Sequence, residues 1–469
     1  MLIVPIGKVR LQAAEAETRE AFMQLFHEEL QGVVQEIIKR CIEAELEAEG
    51  DRLLKRKRHK RRRKIKEETK STAYCQRCGS HKANHFQRNG HYRRGVDTSW
   101  GHVKIDMPQV RCECGGNVKM PYQILRARQR IWDDLEWEMR AEYGWGMSLR
   151  WIKAKEDAKL KGSLGLRTLN QRIHRLAAGI PVWQSRRLSE FPPVIRVDGI
   201  WINMLKPTSV KKKDRLGRKR VVKEGQRRVV LVAQWVWPAS GRQETLTWLV
   251  ADGESEQAWK DLLFQLHQME LRSQGSIELL IGDGSAGFEA ARSVYYPTVP
   301  FQRCIFHKLR NLSRVLETPL EMDQKTGREY RKAFLLEAAQ IWQHPDAYQA
   351  YQAFVAFCGK WEALQPKAVH TLQRNFDLTL SFYQAQSLAE WRGEHWPASL
   401  LRTTSQLERE NRNFRRRFKQ AVLFHSQIGL EATFFQNICL RKSLADPALA
   451  YQWPASLEKE LADASYFMA

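Results

Sequence analysis

Three consecutive segments rich in β-branched and aromatic residues constrain the fold of this chain more than any other feature. They occupy residues 194–204, 228–237 and 244–250, and their composition predicts β-strands. A helix is predicted at 254–271, a short apolar strand at 277–281, a second helix from SAGFEAAR and a last short strand near VPFQRCIF. The middle of the chain therefore alternates between strands and helices in a defined order.

The order strand, strand, strand, helix, strand, helix, strand is that of a ribonuclease H-like core, in which helices flank a mixed β-sheet. Residues 312–400 are predicted to form an all-helical insertion, and a long basic helix is predicted at 403–441. We therefore expect an α+β multidomain protein. Its core lies in two parts, at 191–311 and 401–445, followed by a C-terminal tail at 446–469.

The N-terminal part of the chain is predicted to hold three smaller regions: a helix with a basic arm at 1–70, a zinc ribbon at 71–120 and a helical region at 121–190. Apolar residues recur every three or four positions over 19–49 and predict an amphipathic helix. The members of this stripe are Phe22, Phe26, Leu30, Val33, Ile37 and Cys41. The stripe packs either on the rest of the chain or on the same helix of a second subunit.

The chain carries a large excess of positive charge, with 77 Lys and Arg against 53 Asp and Glu and a formal net charge of +24. Solubility needs a net charge of only about 2 to 8, whereas Lys and Arg on phosphates release condensed counterions. Nucleic acid is therefore the expected partner. Eleven Lys or Arg lie between residues 52 and 66. This run is either a solvated linker or, as we prefer, an arm whose Arg61, Arg62 and Arg63 contact phosphates.

Four of the eight cysteines form two close pairs, Cys75 with Cys78 and Cys112 with Cys114. Two such pairs, each on a turn followed by glycine, are typical of a structural Cys₄ zinc site. Nearby histidines could replace a cysteine, although four thiolates are the preferred set: His81, His85, His91 and His102. Metal ligation indicates a reducing compartment. Because the chain also lacks a long apolar run and a signal sequence, we expect it to be cytoplasmic and associated with the nucleoid.

Two helical segments, SLRWIKAKEDAKL and LGLRTLNQRIHRLAAG, are separated by a short stretch containing Gly162 and Ser163. This arrangement resembles a DNA-binding helix-turn-helix. The second helix would then offer Arg167, Gln171 and Arg175 to base edges and phosphates. Any basic two-helix hairpin has the same pattern.

Further DNA contacts are predicted in the second half of the chain. Lys211 and Lys212 belong to the basic segment KPTSVKKKDRLGRKR, which is predicted to be a loop between the first two strands. Arg415 and Arg416 belong to the long basic helix. Basic side chains of this kind position a protein on the DNA backbone.

Two aspartates stand where strands of the predicted core could bring them together. Asp198 interrupts the apolar strand VIRVDGIW, where an unpaired carboxylate is costly unless a cation is near. Asp283 follows a strand in IELLIGDGSAG, and the carboxyl ends of strands open toward ligands. Its alternative role is the N-cap of the next helix. Asp252, in VADGES, competes with Asp283 but follows an edge strand.

The stretches VDG, IGDGSAGFEAA with FQRCIFHKLRN, and LRTTSQLERENRNFRRR resemble the three signature blocks of the bacterial Mutator-like DDE transposases of insertion sequences. Together they cover most of residues 190–440. The resemblance implies that Asp198, Asp283 and Glu408 form a triad that binds two Mg²⁺ or Mn²⁺ ions. The family pattern places Glu408 through matches at Thr403, Thr404 and Asn411, whereas Ser405 departs from the pattern. Glu410 is the alternative carboxylate.

The family also has a Cys-x-x-His element, matched here by Cys304 and His307. The resemblance implies that this pair shapes the active site or contacts DNA, and a buried structural pair is the alternative. Predicted accessory residues from the same blocks are Arg310, Asn311 and Asn411. Residues 312–400 would be the insertion between the second Asp and the Glu. Among its tryptophans, Trp396 is the predicted side chain that stacks on a flipped or terminal base.

The implied activity is the transposition of an insertion sequence. The enzyme would nick DNA at terminal inverted repeats and then direct the freed 3′ hydroxyl to target DNA, without a covalent protein intermediate. Because two active sites must act on two ends, we expect a homodimer or a larger synaptic complex. The alternatives are a non-enzymatic DNA-binding regulator derived from a transposase and a ribonuclease H-like structure-specific nuclease, and fold alone does not choose among them.

Overall fold

The computed structural model describes residues 19–57, 69–160, 162, 164–186, 190–271, 277–421 and 423–445. Contacts divide the chain into two units, Met1–Tyr143 with Met147–Ile173 and Gly144–Gly146 with His174–Ala469. Two predicted features lie outside the described residues: the basic arm with Arg61, Arg62 and Arg63, and the tail at 446–469. None of the described helices has the length and apolar character that crossing a membrane requires.

The first unit combines a long N-terminal helix, two antiparallel pairs of strands and a group of shorter helices. Strand β1 pairs with β4, and β2 pairs with β3. The last residues of helix α2 belong to the second unit. The elements are α1 (Arg19–Leu53), β1 (Tyr74–Cys75), β2 (Phe86–Thr98), β3 (Gly101–Cys112), β4 (Val118–Lys119), α2 (Asp133–Trp145), α3 (Leu149–Leu160) and α4 (Leu166–Ile173).

In its C-terminal half, helix α1 packs one side against the β2–β3 hairpin. Ile42 and Leu46 are buried in a cluster that includes Ile105 of β3. In the predicted stripe, by contrast, Cys41 is exposed and Leu30 is 36% exposed. A step of one residue turns about 100° around a helix axis, so the predicted stripe is wrong by one position at this end. From Ile42 onward, the apolar side packs within its own chain.

The region predicted to be helical from residue 121 begins instead with an irregular segment of bends and a turn. Helix α2 starts only at Asp133. Before it, the backbone of Asp97 on β2 accepts a hydrogen bond from Trp132 and donates one to Arg130, at 2.8 and 2.7 Å. Because these backbone groups bond to a strand, residues 121–132 do not form a helix, and this part of the prediction is wrong.

Helices α3 and α4 form the predicted helix pair of the first unit. Leu160 of α3 and Leu169 of α4 are buried in one apolar cluster with Leu164 between them. Helix α4 ends at Ile173, which is earlier than predicted. Arg175 therefore lies beyond it, in the 3₁₀ helix Arg175–Gly179.

The second unit is built on a five-stranded mixed sheet with the strand order β7-β6-β5-β8-β9. Strands β5, β6 and β7 are antiparallel neighbours, whereas β8 and β9 run parallel to β5. The predicted order of strands and the mixed sheet are confirmed. The strands are β5 (Val194–Lys213), β6 (Lys219–Trp237), β7 (Arg242–Ala251), β8 (Leu279–Gly282) and β9 (Phe301–Arg303).

Helices cover the sheet and form the predicted helical insertion. The insertion corresponds to α9 through α13, which follow the last strand. The helices of this unit are α5 (Ile180–Gln184), α6 (Glu256–Gln268), α7 (Ala286–Tyr295), α8 (Ile305–Val315), α9 (Gln324–Gln340), α10 (Ala347–Trp361), α11 (Pro366–Gln373), α12 (Ser381–Trp391), α13 (Ala398–Leu401), α14 (Ser405–Ala421) and α15 (Gln427–Ala445).

Alternation of side chains along the strands gives the sheet two apolar faces. On one face, Leu231 of β6 belongs to a buried cluster with Trp259 of α6 and residues of α7. On the other face, its neighbour Val232 belongs to a cluster with Phe414 of α14 and residues of α15. Because both faces are covered where Asp198 lies on β5, its carboxylate has little access to bulk water.

The first two strands are far longer than their sequence predicts. They remain paired as far as Lys213 with Lys219, so most of the predicted basic loop is strand. A tight turn closes the hairpin, in which the Asp214 carboxylate accepts hydrogen bonds from the backbone of Leu216 and Arg218, both at 2.9 Å. We call residues 206–224 the β-arm. Lys and Arg are poor strand indicators, which explains why the sequence predicted a loop here.

The long basic helix predicted at 403–441 is two helices, α14 and α15. Between them, the backbone of Phe424 bonds to β5: its N–H donates to Asn203 at 3.0 Å, and its carbonyl accepts from Leu205 at 2.7 Å. The Phe424 side chain is buried, and the Ser426 hydroxyl caps the start of α15 by accepting from Gly429 at 3.1 Å. The prediction of one helix is wrong because this segment adds to the sheet.

Replacing Trp259 by Ala tests the α6 side of the core. Trp259 is 1% exposed and packs edge-on against Phe288 with ring centroids 5.1 Å apart. We expect the free energy of unfolding to fall by about 3 to 5 kcal/mol, the usual cost of truncating a buried aromatic residue. Denaturant titration followed by circular dichroism measures it. As a control, Trp391→Ala, at a position 84% exposed, should change stability by less than about 0.5 kcal/mol.

Candidate active site and metal centre

Asp198 lies on the central strand β5 and faces helix α14, on the same side of the strand as the buried Ile200. The residue is only 8% exposed. Its Oδ1 accepts a hydrogen bond from the backbone N–H of Gly199 at 2.9 Å, whereas its buried Oδ2 has no hydrogen-bond partner among the described residues. Burial, and then the negative charge of Glu408 and Asp283, raise the pKa of Asp198 to about 7 against the opposing effect of His307.

Asp283 follows β8, the parallel neighbour of β5, and is half-buried. Its Oδ1 accepts a hydrogen bond from the backbone of Ser285 at 2.9 Å. Ser285, not Asp283, is the N-cap residue of α7. The alternative role of Asp283 as the N-cap is therefore wrong. Between them, Gly284 has a φ of +77°, and a β-carbon there would stand 2.6 Å from Nε of Arg303, so this sharp turn requires glycine.

Glu408 lies in the first turns of α14 and pairs with His307 of α8. Nε2 of His307 is 3.1 Å from Oε1 of Glu408, and Nδ1 of His307 is 3.4 Å from the Thr404 hydroxyl. The hydrogen bond with His307 lowers the pKa of Glu408, assisted by the positive charges of Arg415 and Arg310. Burial lowers the pKa of His307, but its bonds with Cys304 and Glu408 and the charge of Asp198 outweigh this and raise it to about 10.

Glu408 and Asp283 thus lie close enough to Asp198 to raise its pKa, although the three residues come from distant parts of the sequence. They do not converge as tightly as a single-ion cage. In the described part of the chain, the acid, cysteine and histidine groups with ligand atoms all within 4.8 Å of one another are the four cysteines and Glu138, Glu142 and Glu156. In the latter group, Lys155 and Lys159 supply the balancing positive charge. The wider triad offers hard oxygen ligands of the kind that Mg²⁺ prefers.

Glu410, the alternative carboxylate, acts on the buried Arg196. Its negative charge acts on Arg196, opposing the burial that lowers the pKa of that guanidinium to about 10. Arg196 is fully buried, and its Nη1 donates to Gln243 at 2.7 Å while its Nη2 donates to the carbonyl of Leu400. Glu408 is the member of the two whose charge acts on Asp198.

Cys304 is buried at the start of α8, where its Sγ accepts hydrogen bonds from the backbone and the hydroxyl of Thr404, both at 3.3 Å. It therefore joins α8 to the start of α14 and shapes the position of His307. Being fully buried, Cys304 does not reach DNA. Asn411 is also fully buried, with neither polar atom hydrogen-bonded to a described residue.

The predicted stacking role of Trp396 is wrong. Trp396 is 2% exposed, and its indole N–H donates to Glu394 at 2.8 Å. It belongs to the apolar core of the helical insertion. A ring packed on all sides offers no face to a base. Arg310 and the half-buried Asn311, by contrast, lie on α8 near its surface.

Sequence reasoning missed Glu254, a fourth acid beside the triad. Asp252, the residue that it weighed instead, is exposed and forms an ion pair with Arg228 at 2.5 Å. Glu254 is half-buried, and its pKa is raised by burial and by the negative charge of Asp283. Both acids belong to the motif ADGES, so the segment was visible in the sequence, but only the packing of the loop distinguishes them.

The four paired cysteines converge in the first unit. Their sulfur atoms lie within 4.8 Å of one another, with 3.4 Å between Cys75 and Cys114 and 3.8 Å between Cys78 and Cys112. Zinc bonded tetrahedrally to sulfurs at about 2.3 Å requires sulfurs about 3.8 Å apart, so the donor set fits one ion. A β-carbon on Gly116 would stand only 2.8 Å from the sulfur of Cys75.

Backbone N–H groups at the first pair favour a thiolate. The amides of Cys78 and Arg77 lower the pKa of Cys75 to about 6, although burial opposes them. The four nearby histidines have partners outside the sulfur cluster: Glu47 for His91, Asp97 for His102, Ser71 for His81 and Ser80 for His85. The preferred set of four sulfur ligands therefore agrees with the geometry.

The predicted DNA-contacting residues within the described chain are all exposed. They are Arg167 and Gln171 of α4, Arg175 in the following 3₁₀ helix, Lys211 and Lys212 of the β-arm, and Arg415 and Arg416 of α14. Exposure leaves these side chains available to a partner. Their role in binding DNA stays a prediction.

The sequence is similar to transposases of bacterial insertion sequences. It is 24% identical over 359 residues to the transposase for insertion sequence element IS905 of Lactococcus lactis subsp. lactis (strain IL1403), covering 76% of this chain and 81% of that one. It is 33% identical over 204 residues to the transposase for insertion sequence element IST2 of Acidithiobacillus ferrooxidans, covering 42% and 62%.

A solved structure, the Drosophila P element transposase strand transfer complex, aligns with 66% of this chain and 91% of its own at 10% identity. Its TM-score of 0.37 is too low to inform the fold of this chain. The profile of a family described as "Transposase, Mutator family" matches residues 11–434. The chain therefore belongs to the Mutator family of transposases.

Proposed function

We propose that this chain cuts DNA at the terminal inverted repeats of an insertion sequence and joins those ends to target DNA, with Asp198, Asp283 and Glu408 holding two Mg²⁺ or Mn²⁺ ions. The observation that carries the proposal is the buried, unpartnered Oδ2 of Asp198 beside two further acids. A buried carboxylate oxygen without a partner is costly, and a divalent cation would remove that cost. Membership of a transposase family supports DNA cutting and joining.

The sheet supports a ribonuclease H-like core. Its three antiparallel strands are followed by two parallel ones on the other side of β5. The first acid lies on that shared strand, and the second follows its parallel neighbour β8. Ligands of open α/β sheets bind at the carboxyl ends of parallel strands, where Asp283 stands.

Bound divalent ions would neutralise the negative charge that develops on the attacking and leaving oxygens of the phosphodiester. The residues of the chain have separate tasks around that centre. His307 holds the carboxylate of Glu408 through Nε2, while Thr404 contacts its other ring nitrogen. Arg310 and Arg415, whose charges act on Glu408, would attract the phosphates of DNA toward the acids.

Removing any of the three acids should abolish the reaction. For Asp198→Asn, Asp283→Asn and Glu408→Gln we expect cleavage and joining to fall about a thousandfold or more, because several kcal/mol of charge stabilisation are lost. The measurement is a gel assay on plasmid DNA carrying the element's ends with Mg²⁺. DNA binding should persist in each variant.

The matched controls are Asp252→Asn, an exposed acid nearby, and Glu410→Gln, the alternative carboxylate on α14. Both should retain activity close to that of the unaltered protein. Full activity in any triad variant would refute the proposed site. Metal-dependent cleavage without joined product would indicate a nuclease, and DNA binding without either reaction would indicate a regulator.

The β-arm supports the DNA partner. It carries nine Lys or Arg and two acidic residues, and no residue in it is buried. A two-stranded ribbon without an apolar core gains little from its own packing. Such a ribbon fits the major groove, and its positive charge suits the phosphates on either side. Lys211 and Lys212 lie near its tip.

Neutralising the tip of the β-arm should weaken DNA binding in a salt-dependent way. Each phosphate contact contributes about 0.9 to the slope of log K against log salt, so Lys211→Gln, Lys212→Gln and Lys213→Gln together should lower the slope by about 2 to 3. Fluorescence anisotropy across a salt series measures it. Lys325→Gln, Arg328→Gln and Lys332→Gln, three exposed charges on α9, form the control. Equal slopes for the two triple variants would contradict the assignment.

We further propose that the four cysteines hold one structural Zn²⁺ as a zinc ribbon. Four protein sulfurs leave no open coordination position, so this ion would stabilise the fold and would not take part in catalysis. It would join β1 to the end of β3, because each of these strands carries a cysteine of the cluster. The neighbouring basic surface would then be fixed for contact with DNA.

Removing one sulfur should release the metal. We expect Cys75→Ser and Cys112→Ser to lower zinc content from about one ion per chain to near zero and to lower the unfolding temperature, because binding energy at such sites is folding energy. Atomic absorption and thermal unfolding measure these effects. Cys41→Ser, an exposed thiol on α1, should leave both unchanged. Undiminished zinc in the two test variants would rule out this centre.

We also propose that helix α4 reads DNA and that the protein acts as an oligomer. Arg167 and Gln171 lie exposed on the second helix of the α3–α4 pair, in keeping with a helix that reads DNA. The predicted domain boundaries divide these regions from the catalytic core. A homodimer or larger complex would supply one active site for each end of the element.

A further inference from the structure

Trp201 is an exposed aromatic residue on the same strand as Asp198, three positions further on. It is 40% exposed, whereas its neighbours Ile200 and Ile202 are buried. Alternation along β5 puts Trp201 on the face opposite to Asp198. An exposed tryptophan so close to an active-site acid calls for an explanation, because solvation of a large apolar ring is unfavourable.

The indole ring of Trp201 is held in place from two directions. Its N–H donates a hydrogen bond to Oε1 of Glu254 at 2.8 Å. The guanidinium of Arg227, two residues from the cross-strand partner of Trp201 on β6, lies over the ring at 4.8 Å from its centroid. The ring is therefore oriented in advance while two-fifths of the residue stays accessible.

Glu254 connects this ring to the proposed active site. Its Oε1 lies so close to the backbone next to Asp198 that a β-carbon on Gly199 would stand 2.8 Å away. Its carbonyl oxygen would be 2.7 Å from a β-carbon on Gly287, in the first turn of the helix that follows Asp283. The loop carrying Glu254 thus packs between the segments that bear the two aspartates, and the negative charge of Asp283 reaches it.

We infer that Trp201 is a stacking platform for an unpaired nucleobase of the DNA end, and that Glu254 is its positioning residue. The inference rests on the proposed function, since it takes the carboxylates as the place of the reacting phosphate. Three residues along a strand span about 10 Å, which is about three base steps of duplex DNA. Although Trp201 and Asp198 point to opposite faces of β5, Glu254 holds the ring on the side where the charge of Asp283 reaches it. A base beside a phosphate at Asp283 can therefore reach the ring if it leaves the helical stack.

The chemistry of the platform suits any base. An aromatic ring stacks on the flat face of every nucleobase without reading its sequence, and the guanidinium of Arg227 adds positive charge for the adjacent phosphate. The buried Trp396 offers no such surface. Trp201 thereby takes the role for which the sequence alone favoured a tryptophan of the helical insertion.

Fluorescence of 2-aminopurine tests the platform directly. The probe is a short duplex with a single-stranded end, carrying 2-aminopurine at one unpaired or terminal position at a time, and it is bound to the full-length protein without divalent metal. We expect quenching at one or more positions. Trp201→Ala should remove that quenching and weaken binding of this DNA about 5- to 150-fold, whereas Trp201→Phe should keep part of both effects.

Variants of Glu254 separate positioning from charge. Glu254→Gln keeps an oxygen that accepts the indole hydrogen bond and should retain the quenching, whereas Glu254→Leu should reduce it. Trp391→Ala, which removes a more accessible ring outside the proposed platform, is the control and should behave like the unaltered protein. Circular dichroism confirms that each variant is folded.

Equal quenching in Trp201→Ala and the unaltered protein, or bound DNA with no quenching at any position, would overturn the inference. The result is independent of the carboxylates, because Asp198→Asn should quench normally while losing cleavage. An active Asp198→Asn protein with quenching lost in Trp201→Ala would refute the proposed function and leave the platform standing. An inactive Asp198→Asn protein with undiminished quenching in Trp201→Ala would refute the platform and leave the proposed function standing.

Discussion

The carboxylate of Asp198 is buried in the central strand of a sheet whose two faces are covered by apolar clusters. A charge in this place is tolerated only if polar partners or a cation reach it. The partners come from two helices, because His307 of α8 and Glu408 of α14 form the ion pair beside it. Thr404 and Cys304 then join the starts of these helices. The local polar network therefore determines where two otherwise separate helices meet the sheet.

A second buried charge extends this network to the helical insertion. Arg196 lies two residues before Asp198 on the same strand and donates to the carbonyl of Leu400 at the end of the insertion. The following backbone bonds to α8, where the N–H of Ile305 donates to the carbonyl of Arg402 at 3.0 Å. Hydrogen bonds from Arg196 and from Ile305 thus hold residues 400–402 in place before α14 begins.

Positive charge is distributed over exposed elements around this core. The β-arm carries it on a ribbon without buried residues, and α14 carries it on the helix that also bears Glu408. Arg310 and Arg415 influence the ionisation of Glu408 itself. The positive charges of Arg310 and Arg415 and the hydrogen bond with His307 therefore all favour the ionised form of Glu408.

The sequence alone predicted the mixed sheet and the helical character of residues 312–400, and it named the candidate acids, because these predictions depend on local composition and on short motifs. Strand order, the paired cysteines and the choice of Asp198 and Asp283 follow from residues that are neighbours in the chain. The apolar periodicity of the helices was a less reliable guide where more than one packing arrangement was available to the chain. The stripe of α1 shifted by one residue, and the long basic helix divided because Phe424 could bond to β5.

Only the tertiary structure decided which polar groups meet. The pairing of His307 with Glu408, the separate partner of Glu410 and the burial of Trp396 each depend on contacts between residues about a hundred or more positions apart or on packing within a whole subdomain. A sequence pattern records what a residue is and how it repeats, but the free energy of a buried charge depends on everything that surrounds it. For that reason candidate acids could be proposed from the sequence, whereas the groups that contact them, and the exposed ring of Trp201 near them, could not.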